Sequence, residues 1–295
     1  IEENKDKLLL FLPNIKELRF FINKKTYILK KSISKINSKL KLVKLCSDGV
    51  KKQKLSYFVF SNDITLEGYK DKGKVSVAYK TEDKKFIPEK GKNNLYVYFI
   101  TQENLGLKFN ISAPFFLSEE RAFIDQDSKL NQVVEEECAK TVCESIMALI
   151  NNDKFDTSFF ELLPLRKDEI RLDVVKAKIF EFISKKSIWI DTNNKFYSKD
   201  NIIFGNEDYM EIFGDKDLKS LGINKKWSKF CTSPYIKTLM KDVNIDEFNS
   251  DKLLELQSNE WHEFLKNKSH KKLLNFYNFL KMHASEALTN YKVIK

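Results

Sequence analysis

The chain has 295 residues, of which 42% are hydrophobic and 32% are charged, a balance typical of a folded globular protein. Its 8 glycines and 5 prolines exclude the collagen-like and low-complexity classes. The net charge is +10, but 48 of the 52 basic residues are lysines. Because arginine is the residue best suited to bidentate contacts with phosphates and bases, this bias favours general solvation over selection for nucleic acid.

The charge is distributed unevenly along the chain. Residues 1–80 hold 19 basic and 8 acidic groups, a net of +11, whereas residues 81–165 hold 9 and 15, a net of −6. Residues 166–295 hold 24 and 19, a net of +5. The basic first segment therefore keeps a nucleic-acid interface open as an alternative.

The first part of the chain has the period-two pattern of β-strands. Alternation of apolar and polar residues predicts strands at 18–22, 26–29, 40–45, 57–60, 75–79 and 107–111, the first two joined by a turn at Asn23-Lys24-Lys25. Residues 95–100 are almost continuously apolar, which predicts one strand at the centre of the sheet. Lys108, Asn110 and Ser112 are expected to share the face opposite Leu107, Phe109 and Ile111.

The pattern changes to helical after Leu117. Apolar residues from Leu130 to Ile150 form one stripe, which predicts a helix over 128–150 that is capped by Asp127 or Ser128. Many strands followed by a long helix predict an α+β fold, with the helix packed against a mixed sheet in a first domain at residues 1–152.

Residues 153–295 are predicted to form a second, mainly helical domain with a small hairpin at 188–197. The helices expected there begin at Asp173 and lie at 207–213, 215–222, 233–242, about 250–267 and about 270–288. Trp227 and Trp261 are predicted core anchors, and the apolar stripes of the last helices are predicted to be core rather than a groove for client proteins.

No complete catalytic or metal-binding motif is present in the sequence. The histidines His262, His270 and His283 lack metal-ligand spacing, and Glu135-Glu136-Glu137 is interpreted as a solvated helix face. Cys46, Cys138, Cys143 and Cys231 form no CxxC pair, which favours a reduced, cytoplasmic compartment. Asp71-Lys72-Gly73 lacks the second glycine of a DxGxG nucleotide motif and is interpreted as a hairpin turn.

No apolar run approaches the roughly 20 residues of a membrane span. The first residue is isoleucine, with neither an initiator methionine nor a signal peptide, so the chain is expected to be a fragment of a longer protein.

One stretch resembles a specific family. Residues 95–131, together with residues 8–18 and the segment Gln257–Trp261, resemble the region that follows the nucleotide domain in sacsin-type, Hsp90-like bacterial ATP-binding proteins of the GHKL superfamily. The positions that carry the resemblance are Thr101, Glu103, Gly106-Leu107-Lys108-Phe109, Pro114-Phe115, Arg121 and Asp125 to Asp127. Ile100 stands where the family usually has proline, and Leu105 where it usually has threonine.

The resemblance implies a role as well as an architecture. Residues 1–152 would be the βαβ transducer, or middle segment, of a chaperone-like ATPase, and residues 153–295 a following helical domain. ATP and Mg²⁺ would bind in an N-terminal nucleotide-binding domain of the same chain, with no cofactor in this fragment. The fragment would be inactive alone and would pass the nucleotide state to later domains, protein clients or a second copy in a homodimer.

The resemblance also points to individual residues. Such segments reach back to the γ-phosphate of ATP, through an arginine before the long helix in the heat-shock chaperone and a lysine in gyrase and MutL relatives. Arg121 is in the matching loop, Gln126 is nearby, and Lys108 is the second choice. An ion pair of Arg121 with Glu119, Glu120 or Asp125 is the competing interpretation.

Two other functions stay open. The first is a nucleic-acid-binding arm of a DNA-processing or anti-phage defence protein, motivated by the basic first segment. The second is a hydrolase whose active site is assembled only in the fold, which requires a cleft with two or more converging titratable groups.

Overall fold

A computed structural model describes residues 5–22, 25–48, 53–66, 68, 73–229, 233–256, 258–266 and 268–290. The turns predicted at Asn23-Lys24 and Asp71-Lys72 lie outside these residues, as do Cys231 and Gln257. The chain forms two compact units, residues 1–180 and 181–295. Residues 153–180 therefore belong to the first compact unit. The division into domains 1–152 and 153–295 that the sequence predicts stays a prediction.

The first unit is built on a large mixed sheet. Its strands are β1 Glu17–Ile22, β2 Lys25–Lys35, β3 Leu40–Asp48, β4 Gln53–Ile64, β5 Gly73–Glu82, β6 Lys85–Phe86, β7 Asn94–Val97, β8 Phe99–Asn104 and β9 Asn110–Ser112. The order is β1-β2-β3-β4-β5-β9-β7-β8, with β6 paired to β5. The β7–β9 pair is parallel and the other pairs are antiparallel.

Helix α1, Lys129–Asn151, covers one face of this sheet and contacts β3, β4 and β5. The helix was predicted within one residue at each end, because a single apolar stripe runs along its whole length. Among the described strands, those after α1 belong to other sheets, so α1 covers the sheet and does not cross between two of its strands.

The opposite face of the sheet is covered by the segment Leu8–Leu12, which follows a short 3₁₀ helix at Lys5–Lys7. Strand alternation places Tyr57 and Val59 on this face and Phe58 and Phe60 on the α1 face. The first unit thus has a layer on each side of the sheet. It also includes a 3₁₀ helix at Thr157–Leu162, which packs beside β6, and the start of α2, Asp173–Lys185.

The prediction of one central strand at 95–100 was wrong. Tyr98 adopts a φ of 61°, so the chain reverses there into the β7–β8 hairpin at the end of the sheet. Tyr98 and Phe99 are 70% and 64% exposed instead of buried. The strand predicted at 107–111 is shorter and shifted, because only residues 110–112 are strand, so Lys108 lies outside it. Asn110 and Ser112 share one face of this strand, as predicted, and Asn110 is fully buried there.

The second unit is mainly helical, and its β-strands form small sheets. The strands are β10 Trp189–Ile190, β11 Phe196–Tyr197, β12 Ile202–Gly205, β13 Lys226–Trp227 and β14 Asp246–Phe248. The helices are α3 Glu207–Ile212, α4 Asp215–Ser220, α5 Pro234–Asp242, α6 Ser250–Leu254, α7 Ser258–Leu265, α8 His270–His283 and α9 Ser285–Asn290, with a 3₁₀ helix at Lys199–Asn201. The mainly helical character of this part is confirmed.

Two features of the second unit differ from expectation. Each of the last two predicted helices is divided, one into α6 and α7 and the other into α8 and α9, with Ala284 at an extended φ of −156° between the latter. The parallel sheet β13-β12-β14 was not predicted. Trp227 and Trp261 are confirmed as core anchors at 2% and 1% exposure, packed among phenylalanines that include Phe213, Phe264 and Phe276.

Candidate functional site

The loop that carries Arg121 is a small, tight hairpin before α1. Leu117 and Ile124 form a β-bridge, and the Ser118 amide donates to the Phe123 carbonyl at 2.9 Å. The Arg121 amide donates to the Ser118 carbonyl at 2.8 Å, and Arg121 has a left-handed φ of 55°. A non-glycine residue in this conformation is strained by roughly 1–3 kcal/mol, so the surrounding bonds must hold it in place.

Asn131 fixes the base of this loop from the first turn of α1. Its side-chain oxygen accepts from the Phe116 amide at 2.8 Å, and its amide group donates to the carbonyls of Phe116 (2.9 Å) and Asp125 (2.7 Å). Asn131 is only 7% exposed. A buried side chain with three hydrogen bonds to loop backbone orders both ends of the loop with respect to the helix.

Glu103, on the edge strand β8, holds the other side of the loop. One of its carboxylate oxygens accepts from the Ile124 amide at 2.9 Å, and the other pairs with Arg171 Nε at 3.3 Å. The Gln102 amide donates to the Ala122 carbonyl at 2.9 Å. The loop is thus tied to the sheet as well as to the helix.

Two more residues that carry the family resemblance have structural roles beside this loop. The Thr101 hydroxyl donates to the Leu95 carbonyl at 2.9 Å across the β7–β8 hairpin. Gly106 has a φ of 68°, and a β-carbon there would lie 2.3 Å from the carbonyl oxygen of Glu169. Only glycine fits this approach of two backbone segments.

Arg121 itself is exposed at the tip of the loop. Its guanidinium makes no hydrogen bond or ion pair with any residue that the structure describes, including Glu119, Glu120 and Asp125. Gln126 is exposed a few residues along the same connection. The arrangement presents the five N–H donors of an arginine to solvent, where they can bind an external oxyanion.

Lys108 occupies a different environment. It is half-buried, and burial lowers the pKa of its ammonium while Asp168 and Glu161 act in the opposite direction. No hydrogen bond or ion pair joins Lys108 to Arg121 or Gln126 within the described part of the chain. The three predicted site residues therefore do not form one cluster of contacts.

A second polar group, missed from the sequence, lies inside the first unit. The buried Glu89 carboxylate accepts from Lys7 Nζ (2.8 Å), the Tyr57 hydroxyl (3.0 Å) and the Asn110 side-chain amide (2.8 Å). Burial raises the pKa of Glu89, but the charge of Lys7 and the three hydrogen bonds outweigh burial and leave the pKa below its ordinary value. No local motif signals this cluster, because its members are far apart in sequence.

Glu135, interpreted from the sequence as part of a solvated helix face, contacts the start of another helix. Glu135 is half-buried, and its carboxylate accepts a hydrogen bond from the Val174 amide at 2.9 Å at the start of α2. This residue therefore joins two helices in addition to facing solvent.

Within the described residues, no group of three or more His, Cys, Asp or Glu side chains could hold a metal ion. None of the described helices is both long enough and apolar enough to cross a membrane.

Comparisons with known proteins add no assignment. No protein-family model matches the chain, and no curated protein matches it significantly.

Proposed function

We propose that this chain is the transducer and interaction module of an Hsp90-like ATPase, and that it couples ATP binding in an upstream domain to later domains or partners. The observation that carries the proposal is the Arg121 loop, where an exposed guanidinium is held in a strained turn by Asn131 and Glu103. The resemblance of residues 95–131 to sacsin-type ATP-binding proteins supports the same function.

In this proposal Arg121 contacts the γ-phosphate of ATP that is bound in the nucleotide-binding domain of the same protein. A guanidinium positioned before the reaction stabilises the charge that develops on the transferring phosphoryl group. In this proposal Mg²⁺ binds together with ATP in the upstream domain, as the family resemblance implies. Gln126 and Lys108 are secondary candidates for contacts across the same junction.

The test uses the full-length protein that the proposal requires, with Arg121→Ala and Arg121→Gly. Removing an arginine that stabilises a phosphoryl transition state costs about 10³-fold or more in turnover, whereas nucleotide affinity should change only a few-fold. Glycine is favoured at the left-handed position, so Arg121→Gly should lose turnover without losing stability, which separates the guanidinium from the fold. The measurements are steady-state ATP hydrolysis, nucleotide affinity and the midpoint of thermal unfolding.

A suitable control is Arg19→Ala, which removes an exposed arginine that is paired with Glu17 at 2.6 Å on β1. Its turnover should match that of the unaltered protein. Unchanged turnover in both Arg121 variants would remove the assignment. Hydrolysis of ATP by residues 1–295 alone, measured as release of inorganic phosphate, would contradict the non-catalytic role of this module.

A further inference from the structure

A basic cleft lies on the face of the large sheet opposite α1. Its volume is about 250 Å³, and it is enclosed by the segment Leu10–Pro13 and by strands β2, β3, β4, β5 and β9. The polar side chains that line it are Lys31, Lys41, Lys74, Ser61, Ser76 and Ser112, and none of the lining residues is acidic. The cleft thus combines three ammonium groups with three hydroxyl groups.

Lys31 is the most buried of these lysines, at 7% exposure. Its ammonium donates to the Leu9 carbonyl at 2.9 Å and to the Leu12 carbonyl, which leaves one of its three N–H donors unused within the described residues. No carboxylate pairs with it in the described part of the chain. Burial, and then the positive charge of Lys41, lower the pKa of this group, as expected for a buried cation that lacks a counter-ion.

Lys41 adds to the excess of positive charge. Burial lowers its pKa first, followed by the charges of Lys74 and of Lys35, which is its cross-strand partner. Its ammonium makes no hydrogen bond or ion pair with any described residue. Lys74 pairs with Asp63 at 3.6 Å, but both side chains are more than half exposed, so this contact compensates little of the charge.

Such an arrangement is unfavourable when the cleft is empty, because buried or partly buried like charges repel each other and lose hydration. An anion within the cleft would accept hydrogen bonds from the ammonium groups and restore neutrality. The Ser61 and Ser76 hydroxyls are hydrogen-bonded to each other at 2.8 Å on neighbouring strands, which leaves one O–H of the pair to donate to an anion at the same wall.

We propose that this cleft binds the phosphate group of a small ligand, either free phosphate or a phosphate monoester. Its volume lies just below the roughly 300–1,000 Å³ of pockets for drug-sized molecules, which suits a small anion. Phe11, Pro13 and Tyr98 line the same cleft and offer apolar surface to a group attached to the phosphate. The proposal is independent of Arg121 and of the coupling function.

The experiment measures binding of inorganic phosphate, adenosine monophosphate and uncharged adenosine to residues 1–295 by isothermal titration calorimetry at constant ionic strength. The test variant is Lys41→Met, which removes one ammonium but keeps a long side chain on β3. A charge-assisted hydrogen bond contributes enough that its loss should weaken phosphate binding by about tenfold or more. Lys31 is left unchanged, since it also holds the Leu9–Leu12 backbone.

The matched control is Lys44→Met, because Lys44 is an exposed lysine of the same strand whose side chain points to the other face of the sheet. Its phosphate affinity should stay within about twofold of the unaltered chain, the change expected for a distant surface charge. The proposal is supported if Lys41→Met, but not Lys44→Met, weakens the binding of phosphate, of adenosine monophosphate or of both. Which of the two compounds binds identifies the source of the phosphate group.

Three outcomes would overturn the proposal. One is that neither phosphate compound binds, and another is that both variants bind as the unaltered chain does. The third is that Lys41→Met weakens binding of a DNA duplex but of neither small compound, which would assign the cleft to nucleic acid.

Discussion

Glu89 shows how a single buried carboxylate depends on its partners. Its three hydrogen bonds come from Lys7, Tyr57 and Asn110, which the fold brings together from three parts of the first unit. The Tyr96 hydroxyl and the Asn110 side-chain oxygen are buried nearby, without hydrogen-bond partners in the described structure. The sequence placed Asn110 on the strand face opposite Phe109 and Ile111, but the alternating pattern alone could not reveal that the Glu89 carboxylate accepts a hydrogen bond from it there.

The lowered pKa of Glu89 predicts a dependence of stability on pH. A carboxyl group whose pKa is depressed by folding stabilises the protein above its unfolded pKa, near 4.5, and this contribution is lost as pH falls through the folded pKa. Glu89→Gln should lower the free energy of unfolding at pH 7 by about 1–3 kcal/mol. The difference from the unaltered chain should shrink as pH falls below the unfolded pKa.

Urea unfolding at a series of pH values measures this effect. Glu119→Gln removes an exposed carboxylate of the Arg121 loop and should shift the curve little. A constant difference between Glu89→Gln and the unaltered chain from neutral to acidic pH would contradict the assignment to the Glu89 charge.

At the residue scale, the Arg121 loop was only partly predictable. Its position between the sheet and the long helix followed from the change of hydrophobic period after Leu117. Of the groups that hold it, Glu103 and Arg171 are distant in sequence, whereas Asn131 lies only six residues after Asp125. In each case the hydrogen bond or ion pair becomes visible only in the fold. The left-handed turn at Arg121 has no local signal, because arginine is not a residue that favours this conformation.

At the scale of elements, long and strongly periodic segments were predictable, and short or continuous ones were not. Helix α1 carries one apolar stripe over its length. Residues 95–100 are continuously apolar, so no alternating pattern distinguishes one buried strand from a hairpin. Tyr98 is also not a residue typical of tight turns. Strands β12, β13 and β14 have two to four residues each, too few to show alternation.

The contact of α1 with the sheet includes polar groups that can be tested as a pair. The Ser145 hydroxyl donates to the Val142 carbonyl at 2.6 Å, so the Tyr79 hydroxyl, also 2.6 Å away, donates to Ser145. Both side chains are completely buried. Ser145→Ala leaves the Tyr79 hydroxyl without its acceptor and should lower the free energy of unfolding by about 1–3 kcal/mol.

A double-mutant cycle with Tyr79→Phe isolates this bond. Because the double variant has neither hydroxyl group, its loss of stability should be smaller than the sum of the two single losses. Chemical denaturation followed by circular dichroism provides the free energies. Additive losses would show that the hydroxyl pair does not couple the helix to β5.

At the scale of the whole molecule, the uneven charge is partly balanced by the fold. Lys7 pairs with Glu89 at 2.8 Å and Lys39 with Glu144 at 3.5 Å, so the acidic central segment supplies counter-charges to the basic first segment. Lys30 pairs with Glu17 at 3.7 Å within the first segment. The sequence total of +11 for residues 1–80 therefore overstates the charge that the folded first unit offers to a partner.

The coupling function and the nucleic-acid-binding alternative predict different salt dependences of DNA binding. A protein that contacts 6–10 phosphates loses about 10³–10⁵ in affinity between 50 and 200 mM salt, whereas a weakly basic surface has a shallow dependence. We expect residues 1–295 to shift a labelled DNA duplex only at low salt, with a slope of log affinity against log salt shallower than about −3, the slope for roughly three phosphate contacts. Fluorescence anisotropy across a salt series measures the slope, with a single-stranded oligonucleotide of equal length for comparison. Retained binding at physiological salt with a steep slope would favour the nucleic-acid alternative, because a steep slope reports many lysine–phosphate contacts.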